Sequence, residues 1–288
     1  MPTVLLKEKL MDFLQEDVGL GDITTEAVVP AETKTRAQIV FKDPGVVAGI
    51  LEAKMFFEMQ GVKVTCLVTD GDEVPCRTAI AEVEGDGQRI LTAERTVLNL
   101  LMRMSGIATA TRRLVRKVQD AGFNVRVAAT RKTAPGLRYF DKKAVLIGGG
   151  DPHRFRLDDA VLIKDNHITI AKGIGESMKR ARSAVSFSKK IEVEAKTMNQ
   201  ALEAAELGAD IVMLDNMTLE EAEKTMKALK ELNLRDKVLI EISGGVNEEN
   251  ITEYARLKPD IVSLGSLTHS VKAIDISLEV IEAKTEKL

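Results

Sequence analysis

Residues 210–216 read Asp210-Ile211-Val212-Met213-Leu214-Asp215-Asn216. An acidic residue opens a run of apolar β-formers, and the run ends on a carboxylate and an amide. The phrase recurs once before, as Asp159-Ala160-Val161-Leu162-Ile163-Lys164-Asp165-Asn166, and once after, as Asp260-Ile261-Val262-Ser263-Leu264-Gly265-Ser266. Any buried parallel strand accounts for the apolar middle of each phrase. It does not account for the polar and small residues at the C-terminal ends. Three more runs of this character, Val125–Ala129, Lys190–Glu194 and Lys237–Ile242, bring the predicted strands to six. Helical patterns such as Met198–Leu207, Leu219–Leu232 and Glu248–Arg256 alternate with them. Strand and helix in alternation predict a parallel sheet, open or closed, and the repeat favours a barrel.

Upstream the texture differs. Residues 4–16 place Val4, Leu5, Leu6, Leu10, Met11, Phe13 and Leu14 at helical spacing, and Gly19 and Gly21 stop the helix. Short β-like stretches follow at Thr35–Phe41, Gly45–Ala48, Lys63–Thr69 and Thr78–Glu84, with a helical Leu51–Gln60 among them. This first third reads as an α+β region. Leu91–Met104 and Ala108–Asp120 read as two helices with a break at Ser105-Gly106. The helix 91–104 carries Arg95 close to its start.

Composition narrows the function classes. Hydrophobic residues are 44% and charged residues 30%, the balance of a globular protein. A formal charge of -3 with 3% aromatics argues against nucleic-acid binding, whose footprint is basic stripes and stacking rings. No apolar run approaches the ~18 residues of a membrane span. The N-terminus is amphipathic and acidic, without a small-residue cleavage site. Cys66 and Cys76 form neither a zinc pattern nor a disulfide framework, and a cytoplasmic location is the simplest reading.

In α/β barrels chemistry is carried where strands end. The predicted ends are Thr130-Arg131-Lys132, Lys164, Glu194, Asp215, Ser243-Gly244-Gly245 and Gly265-Ser266. Between the first two lie Gly148-Gly149-Gly150 and His153-Arg154. A dense set of cations beside glycines in an acidic chain points to a polyanion site. Arg131, Arg154, Lys132 and Lys164 suit carboxylates or phosphates. The glycines after the last two strands let backbone N–H groups approach a phosphate, although tight turns alone would also use them. Glu194 and Asp215 suit Mg²⁺ through oxygen ligands, or balance a developing positive charge, or pair with Lys132 and Lys164. His153 and His167 are candidate ligands or proton carriers, against a structural role.

At these residues the chain resembles the nicotinate-nucleotide pyrophosphorylases, also called quinolinate phosphoribosyltransferases. The resemblance runs through Leu91-Thr92-Ala93-Glu94-Arg95-Thr96, Ser105-Gly106-Ile107-Ala108-Thr109, Thr130-Arg131-Lys132-Thr133, Pro135-Gly136-Leu137-Arg138, Gly148-Gly149-Gly150, His153-Arg154 and Leu162–His167. It continues in Met213–Met217, Ser243-Gly244-Gly245 and Leu267-Thr268-His269-Ser270, so that it spans essentially the whole chain. The resemblance implies an N-terminal α/β sandwich over 1–107 and an incomplete α/β barrel, six- or seven-stranded, over 108–270. A C-terminal helix at 271–288 would pack back on the first domain. It also implies a homodimer, or a multiple of dimers, whose active site borrows Arg95 of the partner subunit. The implied reaction joins quinolinate and phosphoribosyl pyrophosphate with Mg²⁺, giving nicotinate mononucleotide, pyrophosphate and CO₂ in de novo NAD biosynthesis.

In that reading Arg131, Arg154 and Arg95 hold the dicarboxylate, with His153 and Lys164 beside them, and Thr130 belongs to the substrate-binding set. Ser243, Gly244 and Gly265 take the sugar 5′-phosphate, and Gly245, Leu264, Ser266 and His269 complete the substrate-binding set. Glu194 and Asp215 take the ribose hydroxyls and the metal. Lys132 and Lys164 face the pyrophosphate and, with Glu194 and Asp215, form the catalytic set. Two positions depart from the family pattern: Ala129 stands where an acidic residue is common, and Lys143 where an aromatic one is. A sister activity on nicotinate would need fewer cations than this chain offers. A non-catalytic phosphate-binding barrel would need no conjunction of Glu194, Asp215 and Lys164.

Overall fold

The computed structural model describes residues 1–285. In chain order the elements are α1 (Thr3–Val18), α2 (Ile23–Val28), β1 (Thr33–Phe41), β2 (Gly45–Val46), α3 (Ile50–Met59), β3 (Lys63–Cys66), β4 (Glu73–Val74), β5 (Thr78–Asp86), α4 (Gly87–Asp120), β6 (Arg126–Ala128), α5 (Arg138–Ile147) and β7 (Val161–Ile163). Then follow α6 (Asp165–Ala171), α7 (Ile174–Ala184), β8 (Ile191–Ala195), α8 (Met198–Glu206), β9 (Ile211–Asp215), α9 (Leu219–Glu231), β10 (Leu239–Ser243), α10 (Ile251–Arg256), β11 (Ile261–Ser263), α11 (Ser266–His269) and β12 (Ile276–Thr285). Among the described residues no helix is long and apolar enough to cross a membrane.

The chain divides into two compact units. The first takes residues 1–110, 139–148 and the segment from Val271 on. Its sheet is antiparallel, in the order β12-β1-β5-β3. Leu6, Leu10 and Leu14 on α1, Phe56 and Phe57 on α3, and Ile90, Leu98 and Leu101 on α4 are buried in this unit.

The segment expected as a C-terminal helix at 271–288 is, where described, the strand β12, and residues 286–288 lie outside the described residues. It pairs antiparallel with β1 from Phe41↔Ile276 to Thr33↔Thr285. Leu, Glu, Ala and Lys in this stretch favour a helix intrinsically, but β1 offers an edge of unpaired backbone groups, and closing that ladder prevails. Lys42, just past the end of β1, pairs through its side chain with Glu279 of β12.

The expected break at Ser105-Gly106 is likewise absent, for α4 runs unbroken through it. A Cβ at Gly106 would collide with the Lys272 carbonyl oxygen, so this glycine admits a crossing segment. The Ser105 hydroxyl bonds the Ala48 backbone, donating to its carbonyl at 3.3 Å and accepting from its N–H at 3.2 Å.

Residues 139–148 join the first unit through side chains. Phe140 packs on Phe13 with ring centroids 5.5 Å apart. Asp141 accepts two bonds from the Arg103 guanidinium, at 2.7 and 2.9 Å. Lys143, the departure from an aromatic, places its ammonium 2.7 and 2.8 Å from the two oxygens of buried Glu52 and 3.4 Å from Asp70.

The second unit takes residues 111–138 and 149–270. Its six strands are all parallel, in the order β6-β11-β10-β9-β8-β7. The cyclic order is that of a barrel left open between β6 and β7, and at that gap Ala128 makes a single bridge to Asp151. The acidic residue that opens two of the repeated phrases is explained here. Asp210 accepts the Ile191 N–H at 2.8 Å, and Asp260 accepts the Ile240 N–H at 2.7 Å. Each carboxylate thus ties the start of a neighbouring strand.

Along the strands side chains alternate. Ile191, Val193, Ala195, Val212, Leu214, Ile240 and Ile242 belong to one apolar cluster with Ile174 and Met178 of α7, Ala201, Ala204 and Ala205 of α8, Ala222 and Leu229 of α9, and Tyr254 of α10. The opposite face carries Glu194, Met213, Asp215, Glu241 and Ser243, which line a cleft. Barrel interiors are ordinarily filled by branched aliphatic side chains; this one is lined largely by polar groups.

Candidate active site

The cleft has a volume of about 320 Å³ and lies wholly within the second unit. Arg131 and Lys132 follow β6, Lys164 follows β7, Glu194 is on β8, Asp215 ends β9 and Ser243 ends β10. Thr130, His153 and Arg154 also line it. Four cations and two rim carboxylates therefore share one cavity. Lys164 Nζ lies 2.8 Å from Glu194 Oε2, an ion pair whose carboxylate is 8% exposed. Burial first, then the neighbouring Arg131, push Arg154 below the ordinary guanidinium value. Two guanidiniums held this close repel each other, and an anion between them relieves that repulsion. Arg131 Nε is buried with no hydrogen-bond partner among the described residues.

Other candidates are placed differently. Gly244 and Gly245 follow β10 with φ of 84° and 69°, and a Cβ on Gly244 would run into the Asn216 amide. Gly265 is pressed against the Lys132 stem and the His269 ring, so its lack of a Cβ gives the lysine room. Leu264 is buried and its N–H donates to the Ala128 carbonyl at 2.9 Å, so neither side chain nor amide is turned to a ligand. Ser266 and His269 bound the single turn α11, where His269 Nδ1 lies 2.7 Å from Ser270 Oγ. His167 Nδ1 accepts the Lys164 N–H at 2.9 Å at the start of α6. Arg95 belongs to the first unit, on α4, largely exposed, with Glu94 at 4.0 Å.

Sequence reasoning missed the floor. Glu192 and Glu241 are each 1% exposed, and His153 Nε2 lies 3.7 Å from the first and 3.0 Å from the second. Burial, and then the second carboxylate, push Glu192 up to about 8. The signal was available: in Ile191-Glu192-Val193-Glu194 and Glu241-Ile242-Ser243 each acid stands two residues before a rim group, hence on the same strand face.

The donor sets differ in what ion they suit. Glu194 and Asp215 offer only hard oxygens at the rim, the donor type Mg²⁺ takes together with waters and substrate oxygens. Glu192, Glu241 and His153 lie close enough to ligate together. There, however, His153 Nδ1 accepts the Arg154 N–H at 2.8 Å, which favours a proton on Nε2, the nitrogen a metal would need. The rim pair is the better fit.

Fold and site together define a class: open α/β-barrel proteins whose cleft gathers four cations beside a carboxylate pair. Residues 22–105 match the family description Quinolinate phosphoribosyl transferase, N-terminal domain, and residues 107–279 match its C-terminal domain. The chain belongs to the quinolinate phosphoribosyl transferase family. It is 50% identical over 270 residues to the probable nicotinate-nucleotide pyrophosphorylase (carboxylating) of Methanocaldococcus jannaschii, covering 93% of this chain and 94% of that protein. To the human nicotinate-nucleotide pyrophosphorylase (carboxylating) it is 35% identical over 280 residues, covering 97% and 93%. The solved structure of the nicotinate-nucleotide pyrophosphorylase from Francisella tularensis superposes with a TM-score of 0.89 at 34% identity, over 97% of each chain.

Proposed function

We propose that this protein transfers phosphoribosyl from phosphoribosyl pyrophosphate to quinolinate with loss of CO₂, yielding nicotinate mononucleotide and pyrophosphate for NAD biosynthesis. The observation that carries the reading is the convergence of Arg131, Lys132, Arg154 and Lys164 with Glu194 and Asp215 in one cleft.

Quinolinate bears adjacent carboxylates, and Arg131 and Arg154 bind them as forks, orienting the ring nitrogen toward the sugar. Glu194 and Asp215 accept the ribose hydroxyls and face the anomeric carbon as it gains positive charge. Lys132 and Lys164 stabilise the departing pyrophosphate, and Ser243 with the turn at Gly244 receives the 5′-phosphate. The nitrogen lone pair forms the new C–N bond as the C–O bond to pyrophosphate breaks and its electrons leave with oxygen. The ring is then cationic. The carboxylate beside nitrogen leaves as CO₂, its bonding electrons remain on carbon next to N⁺, and a proton replaces it. Glu192, protonated near neutral pH, spares the dicarboxylate a further negative charge below.

Mg²⁺ belongs to this reading, held by Glu194 and Asp215, where it supplies charge neutralisation for the pyrophosphate. The assembly proposed is a dimer, or dimers of it, in which Arg95 of the partner subunit completes the carboxylate clamp. A cytoplasmic setting agrees with Cys66 and Cys76 standing as free thiols. The test is direct: with quinolinate, phosphoribosyl pyrophosphate and Mg²⁺, CO₂ and nicotinate mononucleotide form in equal amounts. Turnover of nicotinate in place of quinolinate would overturn the assignment.

A further inference from the structure

Below the cleft one hydrogen-bonded chain joins residues that the reaction divides between its two substrates. At one end the Arg154 backbone N–H donates to His153 Nδ1 at 2.8 Å. A ring nitrogen that accepts carries no proton, so the neutral imidazole keeps its proton on Nε2 and donates it to Glu241 Oε2, 3.0 Å away. The His153 backbone is held at φ 53°, a left-handed conformation uncommon for a side-chain-bearing residue, by its own N–H donating to Asp151 Oδ1 at 2.7 Å. At the other end Ser263 Oγ lies 2.5 Å from Glu241 Oε1 and 2.9 Å from Ser243 Oγ. Ser263 and Glu241 are 2% and 1% exposed, so water does not substitute for these partners.

The hydroxyl protons decide what this chain does. Ser263 Oγ is placed to donate both to Glu241 Oε1 and to Ser243 Oγ but has one proton, and with the cleft free the closer carboxylate takes it. A phosphate at Ser243 also only accepts. A phosphate that takes the Ser243 hydroxyl proton makes Ser243 Oγ the better acceptor and draws the Ser263 proton toward it. Glu241 loses one donor and leans harder on His153 Nε2–H, which makes Nδ1 the better acceptor for the Arg154 N–H.

We infer that Ser263 and Glu241 are positioning residues that couple the phosphate subsite at Ser243 to the carboxylate subsite at Arg154. The coupling rests on the phosphoribosyl-transfer reading above, and its sign is positive: an anion at Ser243 tightens the hold on Arg154, and therefore on the dicarboxylate.

Calorimetric titration tests this on the full-length protein. Quinolinate is titrated alone and against saturating ribose 5-phosphate, which fills the phosphate subsite without reacting. The wild type is expected to bind quinolinate about fivefold more tightly with the sugar phosphate present, a typical size for such coupling. Ser263→Ala, which removes one oxygen, is expected to bind each ligand singly and to bring that ratio to one. Glu241→Gln is expected to do the same. Its –NH₂ either opposes His153 Nε2–H, donor against donor, or donates to Ser263 and leaves the Ser263 proton to Ser243 with or without a phosphate. Ser263→Thr keeps the hydroxyl and is expected to keep the ratio above one. A Ser263→Ala protein, folded by its melting curve, that retains the wild-type ratio overturns the coupling. So does a wild-type ratio of one. Wild-type protein that does not bind quinolinate at all overturns the functional reading itself, an outcome distinct from binding without coupling.

Discussion

Glu192 holds its proton more tightly in the folded chain than an ordinary carboxyl does, because burial and Glu241 disfavour its charged form. Its value lies near 8 folded and near the ordinary 4.5 unfolded. Its contribution to stability is therefore whole below about 4.5, declines as pH rises, and is lost above 8. Glu192→Gln removes that decline. Thermal melts at pH 5, 7 and 9 are expected to show variant and wild type diverging with pH, the variant more stable at pH 9 by on the order of a few kcal/mol. Parallel curves would mean that another group carries the charge burden. Arg131 supplies a second prediction. Its Nε is buried and without an acceptor among the described residues, so a ligand carboxylate is the natural partner. Arg131→Lys keeps the charge and loses the fork, and the quinolinate KM is expected to rise about tenfold, equivalent to about 1.4 kcal/mol. The phosphoribosyl pyrophosphate KM should move less; an equal rise in both would place Arg131 elsewhere in the reaction. Residue types at strand ends made this rim legible in the sequence. The floor was less so, because Glu192 and Glu241 sit inside apolar runs, and nothing local announces that His153 takes a left-handed backbone.

Periodicity carried the elements well where one face of each was buried. All six parallel strands and the helices α8, α9 and α10 follow from alternation of apolar runs with helical spacing, and the apolar cluster beneath those helices is why. It failed where a distant partner decided. β12 mixes helix formers such as Leu278, Glu279, Glu282, Ala283 and Lys284 with β-branched Ile276, Val280 and Ile281, and the open edge of β1, remote in sequence, decides for a strand. Ser105-Gly106 signals a break by local propensity, yet α4 continues because the glycine lies under the Lys272 carbonyl. This gives an element-scale prediction. In an exposed helix Gly→Ala would stabilise by roughly 1 kcal/mol. Gly106→Ala is expected instead to destabilise by about 1–3 kcal/mol, since the added methyl meets backbone that cannot rotate away. Melting temperature reads the sign directly, and a rise would mean that the crossing segment yields easily.

At the scale of the whole molecule the functional reading asks for more than one chain. The cleft is built entirely from the second unit, with Arg131 and Arg154 as its guanidinium groups, while Arg95 stands largely exposed on α4 of the first unit beside Glu94. An exposed arginine within so specific a sequence phrase has a use if a second copy places it at the neighbouring cleft, as an isologous dimer would do for both sites at once. Arg95→Ala alone is then inactive in both clefts of its dimer, and Lys164→Ala alone is inactive because the Lys164–Glu194 pair is lost. Mixed after subunit exchange, a heterodimer has one cleft with both residues intact and one with neither. Random exchange makes half the dimers mixed, so the mixture is expected to recover about a quarter of the wild-type rate per protein. Recovery near that fraction, tracking the heterodimer content measured by mass, supports a shared cleft. Heterodimers formed without any recovery would confine each active site to a single chain and leave Arg95 a surface residue.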